Sequence, residues 1–337
     1  MRCTDARTIA GVPIAIGGSA GRVLLGCVVG GTALWLTARG TDPASLRDSL
    51  QAARVTPMLG ATVLVVATVA VGAERWRRLA YPPRGGGNYR HFVAALVTGQ
   101  MLNVLLPIRL GEVARIYLIS RDQGLPAGRV AATVVAERLL DVIALAVGVS
   151  WLLLHLALPE WLRASAGAIL GAAAVAIGSV TAIAWRGGKL IGLIEGRVSL
   201  VSARAALFLR RYGDFAVEQM RSLLQPANVM VWWLTAALVV LAAATNWVLF
   251  QAFELPLSAS VALLLFVAWQ VGGIPVATPG NVGVVHLLTV WILTAFGVDR
   301  AVALAYAVVL HLIASGSKVI AGAALLVARR SAAARPV

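Results

Sequence analysis

Apolar runs separated by short polar breaks follow one another along almost the whole chain, and this pattern predicts a bundle of membrane helices. A helix needs about 20 apolar residues to cross a bilayer. Two runs, 91–120 and 259–297, are interrupted, and we expect re-entrant hairpins or broken helices there. The predicted fold class is an all-α polytopic membrane protein with about six full crossings, at 23–38, 57–73, 130–157, 165–185, 228–253 and 301–327.

The two interruptions have the same form, a proline followed four residues later by a glycine. They span Pro107–Gly111 and Pro279–Gly283, and the two prolines lie 172 residues apart. Proline removes a backbone N–H donor and glycine loosens the backbone, so neither segment continues as an unaltered helix. Paired breaks in two halves are typical of transporters built from an inverted repeat, with the substrate site at the breaks. We therefore predict related halves of opposite orientation, at about 57–157 and 228–327.

The composition excludes an ordinary soluble protein, because 60% of the residues are hydrophobic, 13% are charged and the mean hydropathy is +0.86. The net charge is +15, and basic residues concentrate in 74–90, 186–221 and the tail 328–337. The positive-inside rule explains this distribution without a nucleic-acid partner. We expect these segments and an N-terminal segment 1–22 in the cytoplasm, with one transmembrane domain at 23–327 in the bacterial inner membrane.

Charged and amide side chains inside the apolar runs are the candidate functional residues, since a charge at the bilayer centre costs about 2.5–3.5 kcal/mol on insertion scales. In the first half they are Asn103, Arg109, Glu112, Arg115, Glu137, Arg138 and Asp141. Glu112 and Arg115 are three residues apart and can pair on one helix face. Glu137 and Asp141 are four apart and also share a face.

Two interpretations of this set remain open. Arginine presents a planar fork of donors that suits phosphate or carboxylate, and the helix after Gly111 offers N-terminal amides to an anion. The three arginines would then receive an anionic headgroup while the three carboxylates hold them in place. The alternative is a charge-balanced network that ties helices together or lies at the membrane interface.

The second half contributes uncharged candidates. Asn281 lies in the second break, and His286 and His311 follow it. A histidine changes charge near neutral pH and can assist proton coupling, although a neutral hydrogen-bonded histidine is the commoner case. We interpret Asn246 and Gln270 as interhelical hydrogen-bonding residues. The chain lacks the common hydrolase, metalloprotease and nucleotide-binding motifs, so we expect no enzyme, cofactor or metal site.

The polar residues and glycines of the first half form a motif that reads Asn103-x-x-x-Pro107-x-Arg109-Leu110-Gly111-Glu112-x-x-Arg115, then Gly124, then Glu137-Arg138-x-x-Asp141. A second motif reads Pro279-Gly280-x-x-Gly283, then Gly297. This order and spacing resembles the lysylphosphatidylglycerol synthase transmembrane-region family of flippase-like proteins, over about residues 20–327.

The resemblance implies that the protein moves or handles a charged or glycosylated lipid between leaflets, such as an anionic phospholipid or a polyprenyl-phosphate-linked lipid. In the multiple peptide resistance factor such a domain is joined to a soluble aminoacyl-transferase, and we expect no such domain here. The family usually carries a glutamate where His286 stands and an arginine where His311 stands. This half of the site therefore has no fixed charge at either position.

Our leading hypothesis is a flippase-like protein whose substrate is an anionic or glycosylated lipid. A second hypothesis is a non-transporting membrane scaffold that assists a glycosyltransferase of lipid or cell-wall synthesis. A third is a secondary transporter of a small organic anion. The sequence makes no prediction of the oligomeric state.

Overall fold

The computed structural model describes residues 8–9, 12–13, 19–82, 86–106, 110–156, 160–199, 202–272 and 279–333. The described chain is a helical bundle, apart from two antiparallel two-residue strands, β1 (Thr8–Ile9) and β2 (Val12–Pro13). Its α-helices are α1 Ser19–Ala38, α2 Pro43–Ala52, α3 Val55–Ala80, α4 Tyr89–Leu105, α5 Gly111–Gln123, α6 Ala127–His155, α7 Glu160–Ser199, α8 Ala203–Leu223, α9 Val229–Ala252, α10 Ala259–Gly272, α11 Val284–Ala295, α12 Arg300–His311 and α13 Ser317–Ala333.

The predicted class, an all-α polytopic membrane protein, is confirmed. Four stretches are long and apolar enough to cross a membrane, and they coincide with four of the predicted crossings. The predicted crossings at 23–38 and 130–157 correspond to α1 and α6. The four spanning stretches are Val55–Ala80, Ala166–Lys189, Pro226–Ala252 and Arg300–Val327.

Both interrupted runs form helical hairpins. In the first, α4 packs against α5. Residues 107–109 of its break lie outside the described part. In the second, α10 packs against α11, and a 3-10 turn, Pro279–Asn281, leads into α11. Positive φ angles at Gly280 (+61°), Asn281 (+57°) and Gly283 (+88°) break the helix there.

The two hairpins enter the bundle from opposite ends. The Gln123 amide oxygen accepts a bond from Asn88 N at 3.1 Å, so the first hairpin starts and finishes at one end. At the other end, Arg54 N donates to Ala252 O at 2.9 Å, just before α10 begins. The tips meet inside the bundle, where a Cβ on Gly280 would lie 3.5 Å from the carbonyl oxygen of Val104.

Close helix contacts at the hairpins depend on glycine. A Cβ on Gly111 would collide with the carbonyl oxygen of Gly99, so α5 approaches α4 only because neither position carries a side chain. A Cβ on Gly283 would likewise meet the carbonyl oxygen of Gly30 on α1. Glycine at these positions therefore fixes how deeply each hairpin inserts.

The helices α3 and α9 pack antiparallel against each other. Near one end, a Cβ on Gly60 would lie 3.3 Å from Val248, and towards the other end Arg75 approaches Thr235. The interhelical bond expected of Asn246 is present, because Tyr306 Oη on α12 donates to its Oδ1 at 3.0 Å.

A π-helix, Leu312–Gly316, joins α12 to α13 within one of the spanning stretches. Such π segments inside longer helices are frequent at functional sites, because the extra residue re-aims the side chains around it. His311 precedes this one and Lys318 follows it closely.

Candidate functional site

Six charged side chains from α3, α5 and α6 form a closed ring in which arginines and carboxylates alternate. Every carboxylate contacts two arginines, and every arginine contacts two carboxylates, so the ring is neutral. In ring order the residues are Arg75, Glu137, Arg115, Glu112, Arg138 and Asp141.

Arg75, Glu137 and Arg115 form the buried edge of this ring, with side chains only 5–6% exposed. Arg75 donates to Glu137 Oε1 at 3.4 Å and to Asp141 Oδ1 at 2.7 Å, and it also approaches Thr235 Oγ1 at 3.4 Å. Arg115 donates to Glu137 Oε2 at 2.5 Å. Buried charges of this kind persist only when paired and hydrogen-bonded, which the ring provides.

Glu112, Arg138 and Asp141 form the open edge. Arg138 contacts Glu112, and its Nη1 donates to Asp141 Oδ2 at 3.4 Å. The ring closes through Arg115 Nη1, which donates to Glu112 Oε2 at 3.3 Å. The Arg138 side chain is 57% exposed, so it is the ring cation that an external group can reach.

Neighbouring residues hold Arg115 in its place. Its guanidinium carbon lies 4.2 Å from the centroid of the Trp76 ring, a cation–π arrangement. Trp76 is fixed in turn, because its Nε1 donates to Thr133 Oγ1 at 2.9 Å. A Cβ on Gly99 would lie 2.5 Å from Arg115 Cγ, so glycine there makes room for the arginine stem.

Arg75 is a functional candidate that the sequence analysis missed. The sequence places it in the basic segment 74–90 after the crossing 57–73, but α3 continues to Ala80 and Arg75 is buried within it. The helical spacing of apolar residues indicates this longer helix, because Trp76 and Leu79 continue the apolar face of α3 beyond the predicted end of the crossing.

The structure places the three arginines expected to receive the headgroup in different surroundings. Arg109 lies outside the described residues, and Arg115 is enclosed by its carboxylate partners, which leaves Arg138 as the described arginine of the open edge. The first amide of α5 was expected to face an anion. Instead Gly111 N donates to Asn103 Oδ1 at 2.8 Å, which caps the helix internally.

A cavity with both polar and apolar side chains in its wall adjoins the open edge. It consists of two connected chambers of about 360 and 290 Å³. The first chamber extends to Gly280 and Asn281 at the second hairpin tip, and to His311. The second extends to the buried edge of the ring. Polar residues that line both chambers are Thr68, Gln100, Asn103, Glu112, Arg138, Gln270 and Lys318.

Of the second-half candidates, Asn281 and His311 line the first chamber, while His286 is buried behind His311. The two imidazole rings stack with centroids 5.0 Å apart and an interplanar angle of 28°. His286 Nδ1 accepts a bond from Gly283 N at 3.4 Å, which ties it to the break. Lys318 was not singled out from the sequence, although a lysine inside an apolar run is itself a signal.

The family model described as Lysylphosphatidylglycerol synthase TM region matches residues 23–322 of the chain. The chain belongs to this family. Comparison with curated proteins and with solved structures finds no match. As a family member it is an integral, multi-pass membrane protein, and the match covers all six residues of the ring.

Proposed function

We propose that this family member binds the headgroup of an anionic or glycosylated lipid and moves it between the two leaflets of a bacterial inner membrane. The observation that carries the proposal is the polar cavity between two hairpin tips, bordered by the open edge of the ring. Polar walls at membrane depth are costly and usually mark a substrate path.

In this proposal, Arg138 contacts the headgroup and the rest of the ring positions Arg138. Its guanidinium is held from two sides by Glu112 and Asp141, so only part of its donor capacity is occupied. The headgroup passes through the cavity while the acyl chains stay in the bilayer.

The opposed hairpins support an inverted repeat. In such a repeat, α3 to α6 correspond to α9 to α13, and the amides Gln100 and Gln270 occupy similar places before the two breaks. Rocking of one half against the other would turn the cavity from one leaflet to the other. Both chain termini then lie in the cytoplasm, on the side of the basic segments.

The test is a lipid-exposure assay in reconstituted vesicles. Fluorescent phosphatidylglycerol is placed in both leaflets, and a membrane-impermeant reductant bleaches only the outer pool. We expect bleaching beyond the outer pool with the wild type, and strong loss of this activity in Arg138→Ala. Arg121→Ala is the matched control, because Arg121 is an exposed arginine of α5 that pairs with Asp122, outside the ring.

Two results would contradict the proposal. One is bleaching equal to that of protein-free vesicles for both phosphatidylglycerol and a polyprenyl-phosphate lipid. The other is equal activity of the Arg138→Ala and Arg121→Ala variants.

A further inference from the structure

The charges that line the cavity do not cancel. The ring is neutral, because three arginines face three carboxylates. Lys318 on α13 lines both chambers in addition to the ring. Among the described residues its Nζ has no salt bridge, so the described lining side chains sum to one positive charge when Lys318 is protonated.

Amide groups surround the same space. Asn103, Gln270 and Asn281 line the first chamber together with Lys318. Asn103 uses its Oδ1 to accept from Gly111 N, which leaves its NH2 group as a donor. A lysine ammonium beside amide donors is a common way to bind a phosphate as a point charge.

Two buried atoms in side chains that line the cavity can accept hydrogen bonds from hydroxyl groups of a ligand. Gln100 Oε1 is buried and accepts no hydrogen bond from the described residues, and it lies in a side chain that lines both chambers. His311 Nδ1 is buried and equally without a bonding partner there. A buried acceptor needs a donor, and the hydroxyls of a glycerol or sugar are donors of suitable size.

The carboxylates point to what the cavity rejects. Each of Glu112, Glu137 and Asp141 already contacts two arginines. No carboxylate among the described lining residues is therefore unpaired and able to receive an ammonium group. A headgroup with a free amine would bring its positive charge next to Lys318 without a counter-charge.

We infer that Lys318 binds the phosphate of a polyol phosphodiester lipid, that Gln100 accepts from its hydroxyls, and that aminoacylated headgroups are selected against. The inference rests on the proposed function and specifies its substrate class. Phosphatidylglycerol and glycosyl phospholipids belong to this class, whereas lysyl-phosphatidylglycerol does not.

The chain contains only two lysines, which gives a matched control. Lys189 is exposed on α7, and the second lysine is Lys318. Binding of a tail-labelled phosphatidylglycerol to the full-length protein in micelles is measured for Lys318→Met, Lys318→Arg and Lys189→Met. We expect Kd to rise roughly tenfold to a hundredfold in Lys318→Met, as loss of a charge-assisted bond predicts. Lys318→Arg and Lys189→Met should stay near wild type.

Competition then tests the headgroup. Unlabelled phosphatidylglycerol should displace the probe at least tenfold better than lysyl-phosphatidylglycerol. Phosphatidylglycerol should also displace the probe better than phosphatidylethanol, whose headgroup has the same charge but no hydroxyls. In the Gln100→Leu variant, phosphatidylglycerol and phosphatidylethanol should displace the probe equally well. Equal competition by lysyl-phosphatidylglycerol, or an unchanged Kd in Lys318→Met, would overturn the inference. Displacement by glycerol phosphate at similar concentrations would refute a lipid as the ligand.

A labelling experiment on the wild type tests the site without a substitution, so that misfolding of a variant cannot explain the result. Reductive methylation followed by peptide mass spectrometry compares the two lysines within one molecule. Phosphatidylglycerol should protect Lys318 and leave Lys189 reactive, and protection of neither would count against the site. Because binding is read without transport, a stationary lipid in the vesicle assay would refute the proposed movement and leave this subsite standing.

Discussion

Removing one carboxylate from the buried edge should destabilise the protein more than removing a charge elsewhere on the same helices. Glu137→Gln keeps the side-chain volume but leaves Arg75 and Arg115 facing each other across a neutral amide. Breaking a buried ion pair from one side costs about 3–5 kcal/mol, because the remaining charge stays buried without compensation. We expect a loss in this range in the free energy of unfolding.

The measurement is a titration with sodium dodecyl sulfate in mixed micelles, followed by circular dichroism. Glu74→Gln is the control, since Glu74 pairs with Arg77 and Arg78 near the end of α3, outside the ring. Such a pair is worth at most about 1 kcal/mol. The double variant Glu137→Gln with Arg75→Met should recover part of the loss, because one unpaired charge is removed. If Glu137→Gln costs no more than Glu74→Gln, the ring does not hold α3, α5 and α6 together.

Three further predictions follow from particular residues. Gly111→Ala should lower the free energy of unfolding by about 2 kcal/mol in the same titration, because a Cβ there overpacks α4 against α5. Gly178→Ala should be neutral or slightly stabilising, because a Cβ at this position meets open space. Asp42 caps α2. The backbone N–H of Ser45 donates to the Asp42 carboxylate and lowers the pKa of this carboxyl. The cap is therefore intact above the unfolded pKa near 4 and is lost as the pH falls through the lower folded value. The protection factors of the amides in the first turn of α2, which are corrected for the intrinsic exchange rate at each pH, should fall at acid pH, and unchanged protection factors would refute this. In a cysteine-free background, Ser202→Cys should label from the cytoplasm and Asp48→Cys from the opposite side; labelling of both from one side would refute the proposed orientation.

The apolar pattern was sufficient to predict the class of fold and both hairpins, because proline and glycine interrupt a helix for local reasons. It was also sufficient for pairs within one helix, since the Glu112–Arg115 contact depends only on a three-residue spacing. Closure of the ring could not be predicted from the sequence. It requires α3 to extend beyond the predicted crossing, Pro57–Ala73, and to turn Arg75 towards α6. That rotation is set by tertiary packing.

The same limit explains the missed lysine. Lys318 lies in a run that reads as an ordinary crossing, and a π-helix interrupts this run just before it. A charge inside an apolar run is visible in sequence as an energetic cost. Which cavity it faces is decided by the local helix geometry.

The alternating ring has a mechanical consequence. The ring contains six ion pairs, of which two link α3 to α6 and two link α5 to α6, so moving α6 away from either neighbour breaks two contacts at once. These helices should therefore move as one rigid block. The second hairpin borders the same cavity with uncharged side chains. Sliding of this hairpin against the block of α3, α5 and α6 therefore separates no ion pair of the ring. We expect the gate of this protein at the seam between the charged block and the neutral hairpin.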